Sequence, residues 1–119
     1  MLWFHEYVSK IEEHILNKIV ECHSLEEVRS HIDRIDRQIV AYIAERGIYV
    51  KQAARFKKTT EDVKAPQRVE QVIAKVTALS HELGANPSVT EQVYRAMILG
   101  FIHAELAEHA TLHTKDRNP

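Results

Sequence analysis

Two cations in this sequence stand where charges are costly. At about 100° per residue of helix, Arg46 and Lys57 project about 20° apart, near the centre of an apolar stripe that also carries Val28, Ile39 and Val50. Arg34, Arg37, Lys51, Arg55 and Lys58 fall on the outer side, where charges belong. Glu105 repeats the anomaly with the opposite sign, in line with Tyr94, Ile98 and Phe101. An unpaired buried charge costs several kcal/mol, so each of these positions needs a partner. One reading pairs Lys57 or Arg46 with Glu105, or lets the long cations reach the ends of a helical bundle. The other is an internal cavity for a small anion, gripped by Arg46 and Lys57 from one helix with Cα atoms about 16 Å apart. Arg29 is a third candidate cation. It lies about 100° off the stripe, pointing away from its own chain's pocket and toward that of a second copy.

Other chemistries find little support. The eight histidines form no HExxH or paired metal set, and His109 and His113, four apart near the C-terminus, have no carboxylate motif beside them. No metal or cofactor is expected. There is no GxSxG, no glycine-rich phosphate loop and no cysteine placed for catalysis. An enzyme built on this sequence must therefore work without a nucleophile or a metal. Cys22 is the sole cysteine, which excludes an intrachain disulfide and favours a reducing cytoplasm.

The elements that must hold these charges are helices. Of 119 residues, 45% are hydrophobic, with three glycines and three prolines, too few turn formers for a β-sandwich or barrel. An N-terminal segment, residues 3–22, carries Phe4, Val8, Ile11, Ile15, Ile19 and Cys22 on one face. Ser24 and Glu27 form a capping box that opens a long helix, whose stripe runs from Leu25 to Lys57. The polar "KTTED" breaks the pattern and reads as a lid. Pro66 opens a third helix that stops at Gly84, and Ser88 with Glu91 forms a second box before the last helix. The expected division is an N-terminal helical extension (1–24), a helical domain (25–113) and a frayed tail (114–119).

A stripe of this length, about 50 Å, exceeds what a compact monomer of this size spans, given a radius of gyration of about 13–14 Å. A homodimer with long helices packed together is the economical solution. The formal net charge of −1 offers no field for nucleic acid or an anionic membrane. The N-terminus lacks the basic start and continuous apolar core of a signal peptide, and no run reaches the roughly 18 apolar residues of a membrane span. A soluble cytoplasmic protein is expected.

From Leu25 to about Leu112 the chain resembles the all-helical (type II) chorismate mutase family. The resemblance rests on "VRSHIDRIDRQIVAYIAERGIYVKQAARFK", which sets Arg29, Arg46 and Lys57 at the family's spacing. It implies an all-α fold: one long helix and two shorter ones in an intertwined homodimeric bundle, with the N-terminal helix as an addition. It also implies that Arg46 and Lys57 bind the carboxylates of a small dianion, that Lys57 reaches the substrate's ether oxygen, and that Arg29 enters from the other subunit. Val50, Ile98 and Phe101 would be apolar substrate contacts. Rearrangement of chorismate to prephenate is pericyclic, so catalysis means holding the reactive conformer and stabilising charge on the ether oxygen.

Three departures bear on the activity. Pro66 and Gln67 stand where mutases have adjacent Arg and Glu, and Val63 where an acidic residue is expected. The "RFK…APQRV" arrangement looks more like the isochorismate pyruvate lyase branch, which forms salicylate and pyruvate. Gln67 can still hydrogen-bond a ring hydroxyl. Glu105 stands where many members carry a glutamine that donates to the ether oxygen. The sequence favours the mutase, with the lyase as alternative. A non-catalytic helical module binding a partner through residues 3–22 is the third reading, and cations on a buried stripe argue against it.

Overall fold

A computed structural model describes residues 19–117, with side chains through residue 112. The expected N-terminal helix lies mostly outside the described residues, and residues 19–22, its last positions, are not helical. The described residues form four helices: α1 (Leu25–Ala54), α2 (Thr60–Lys64), α3 (Pro66–Leu83) and α4 (Pro87–Arg117). Among the described residues no helix is long and apolar enough to cross a membrane. The fold is all-α, as expected, but the last helix, with 31 residues, is as long as the 30-residue first one.

Each boundary has a local cause. Ser24 sits in extended backbone, and its Oγ accepts the Glu27 amide at 3.1 Å, while Glu27 Oε2 accepts the His23 amide at 3.1 Å. Glu26 and Glu27 in the first turn and Lys51 in the last complement the helix dipole. At the other end, α1 stops at Ala54, three residues short of the expected end. The amides of Arg55, Phe56 and Lys57 fold back onto the carbonyls of Gln52, Ala53 and Ala54 and close the last turn tightly. Lys57 therefore stands just past the helix.

The "KTTED" segment is itself built. Thr59 Oγ1 accepts the Asp62 amide, and Asp62 Oδ2 accepts the amides of Lys58 and Thr59, each at 3.1 Å, forming a reciprocal cap for α2. An ordered helical turn replaces the free lid read from the sequence. Pro66 excludes the right-handed helical region for Ala65, which turns through left-handed backbone at φ 38 and separates α2 from α3. Gly84, at φ 79, ends α3 and donates to Ser80 O. The cap of α4 is Asn86, not Ser88. Asn86 Oδ1 accepts the amides of Ser88 and Val89, and Pro87 takes the first helical position. Ser88 instead accepts from Gln92, and Glu91 pairs with Arg95. The backbone of α4 stays helical to Arg117, through most of the tail expected to fray.

The chain's contacts fall into two compact units. One holds Ala65–Gly100, hence α3 and the first part of α4, around buried Ile73, Val76 and Ile98. Burying each such side chain is worth about 1.5–3 kcal/mol. Arg95 grips both oxygens of Glu70 at 3.1 and 3.2 Å, holding that carboxyl below its usual range. The pair is exposed and adds orientation more than stability. The other unit holds Val20–Lys64 and Phe101–Pro119.

Candidate active site

In the second unit, three successive turns of α4 contact the C-terminal part of α1 and the turn that follows it. Phe101 lies under the Arg46 guanidinium, 4.9 Å from ring centroid to Cζ, a cation–π contact. One turn on, the Glu105 carboxylate meets the Lys57 ammonium at 2.6 Å. A further turn on, His109 Nε2 lies 2.8 Å from the Lys57 carbonyl oxygen. The spacing 101, 105, 109 keeps all three on one face of α4.

Gly47 makes the first contact feasible. A Cβ there would stand 3.2 Å from the edge of the Phe101 ring, so a glycine in mid-helix lets the ring reach Arg46. The second contact resolves the charge conflict seen in the sequence. Glu105 is 6% exposed, and its Oε2 is buried without a directed hydrogen bond, so the close positive charge of Lys57, 25% exposed, is what compensates it. Pairing of Lys57 with Glu105 is thus the arrangement adopted. Arg46 is half-buried over the ring. The charge contrast is strong, because the pair lies largely out of water.

The other expected site residues are distributed unevenly. Val50 belongs to the same unit and is half-buried. Gln67, exposed in the first turn of α3, and Ile98, buried, belong to the other unit. Arg29 is exposed near the start of α1. Val63 is 2% exposed, a buried apolar position. His109 was legible only as a possible metal partner of His113. Its line with Phe101 and Glu105 on α4 was the signal for its actual place. Gly47 gave no signal beyond its adjacency to Arg46.

Cys22, Glu27 and His31 bring three donor atoms within 4.8 Å of one another. Glu27 Oε2 already accepts the His23 amide, and the Arg34 guanidinium is 3.5 Å from His31 Nδ1. The group sits at the positive end of α1, a poor place for a cation.

The second unit thus sets a lysine–glutamate ion pair one turn of α4 from an arginine on an aromatic ring. A family model described as chorismate mutase type II matches residues 28–106, and the chain belongs to that family of enzymes. It is also similar to the isochorismate pyruvate lyase of Pseudomonas aeruginosa, with 31% identity over 86 residues, covering 72% of this chain and 85% of that protein.

Proposed function

We propose that this chain is a cytoplasmic, homodimeric isochorismate pyruvate lyase. Arg46 and Lys57 hold the two carboxylates of the substrate, Arg29 is supplied by the second copy, and Lys57, held by Glu105, stabilises the departing ether oxygen. Val50 and Phe101 line the ring. Isochorismate contains all the atoms of salicylate and pyruvate. A ring hydrogen moves to the enolpyruvyl methylene as the ether C–O bond breaks and the ring becomes aromatic. No water or co-reactant enters, so conformational restriction and placed charge suffice.

The observation that carries the lyase over the mutase is Val63. It fills an apolar core position where the mutase pattern calls for an acidic side chain, and Pro66 with exposed Gln67 replaces the Arg–Glu pair. The similarity to a lyase supports the same choice. The second reading is rearrangement of chorismate to prephenate, favoured by the match to the chorismate mutase family across residues 28–106.

The test is stoichiometry. Isochorismate given to the purified chain should yield salicylate and pyruvate in equal amounts, with the yield lost in Arg46→Ala. Unchanged isochorismate beside conversion of chorismate to prephenate would transfer the assignment to the second reading.

A further inference from the structure

The reaction needs the Lys57 ammonium at a fixed place, yet Lys57 is not on a helix. It follows the last turn of α1, which ends at Ala54. Its amide reaches Ala54 O at the long distance of 3.4 Å. The cap that follows, between Thr59 and Asp62, engages the amides of Lys58, Thr59 and Asp62 and leaves the Lys57 carbonyl to other donors. Without a partner there, the backbone of Lys57 could rotate and swing a long, flexible side chain away from the substrate.

We propose that His109 is a positioning residue for Lys57. Its ring is 6% exposed, and Nε2 lies 2.8 Å from Lys57 O. A carbonyl oxygen can only accept, so Nε2 carries the hydrogen and donates it. Glu105, one turn earlier on α4, takes the other end of the same lysine at 2.6 Å. Lys57 is thereby held at its backbone by one turn of α4 and at its ammonium by the preceding one. When substrate takes over the ammonium, the His109 contact is the one that remains and keeps the backbone in register. His109 touches no reacting atom; it acts through Lys57. This role rests on the reading of Lys57 as the cation that meets the ether oxygen.

The test compares His109→Gln, whose amide can still donate to the carbonyl, with His109→Leu, which cannot. In the wild-type chain, nitrogen-detected NMR of the imidazole should give a hydrogen on Nε2. His109→Leu should lower kcat about 10- to 100-fold, the scale expected when a catalytic group is displaced by about 1 Å, with KM changed less than about threefold. His109→Gln should recover most of that loss. A purely structural histidine would lower the folded fraction while leaving kcat per folded molecule unchanged in both variants, and that result would overturn the proposal. If His109→Leu does not fold, an Nε2 without hydrogen in the wild type, or a His109→Gln variant no more active per folded molecule than about a tenth of wild type, would overturn it equally. A wild type inactive on both isochorismate and chorismate would remove the function and this role together. An active wild type with an indifferent His109→Leu would remove this role alone.

Discussion

Glu105 and Lys57 share a conflict that the reaction must resolve. As a carboxylate, Glu105 is compensated by the Lys57 ammonium, but a carboxylate cannot donate to an ether oxygen and repels a dianion. In the proposed reaction a side chain that donates at position 105 should therefore support turnover. Glu105→Gln, whose amide donates, should keep most of kcat/KM, whereas Glu105→Ala should lose it. A Glu105→Gln chain no more active than Glu105→Ala would contradict this. Projection of the sequence found Arg46, Lys57 and Glu105 because burial makes charges conspicuous on an apolar stripe. His109 escaped because histidine on such a stripe is unremarkable, and its partner is a backbone carbonyl that no side-chain pattern records.

At the scale of elements, capping decides where the site ends. In the sequence the apolar stripe of α1 runs on to Lys57 because a tight closing turn nearly preserves the helical period, while Phe56, 86% exposed, shows that the face has already turned. The α2 cap was present in the sequence as Thr59 followed three residues later by Asp62, and was read as a break because the helix it opens has only five residues. The same competition explains Asn86, whose cap before Pro87 outranked the Ser88–Glu91 box. Loss of the Thr59 hydroxyl in Thr59→Ala should destabilise the fold by about 1 kcal/mol, read by denaturant unfolding. Hydrogen bonds from the amides of Lys58 and Thr59 hold Asp62 below its usual carboxylate range. Its folded-state value is depressed, so its contribution is present above the ordinary value of about 3.9 and lost as pH falls through the folded value. The acid limb of the unfolding profile should therefore shrink in Asp62→Ala relative to wild type. An acid limb of unchanged size would remove Asp62 from that transition.

For the whole molecule, the informative feature is what α1 leaves uncovered. Leu25, Val28, Ile32, Ile35, Ile39 and Ile43 are between 39% and 61% exposed along one stripe. In the proposed dimer a second copy would cover this face and bring Arg29 to the site. This supports the dimer argued from helix length, although the described helix, at about 45 Å, is somewhat shorter than the stripe suggested. Arg29→Ala and Lys57→Ala chains should each be inactive alone. Unfolded and refolded together in equal amounts, they should recover about a quarter of wild-type activity, because half the dimers are mixed and each mixed dimer has one intact site. Failure of the mixture to exceed either parent, with dimers present by light scattering, would place Arg29 outside the partner's site.

The most direct measurement is kcat/KM of the wild-type chain for isochorismate and for chorismate, side by side under the same conditions. Isochorismate should show the greater value, with salicylate and pyruvate as products. Prephenate formed from chorismate at the greater efficiency would contradict it.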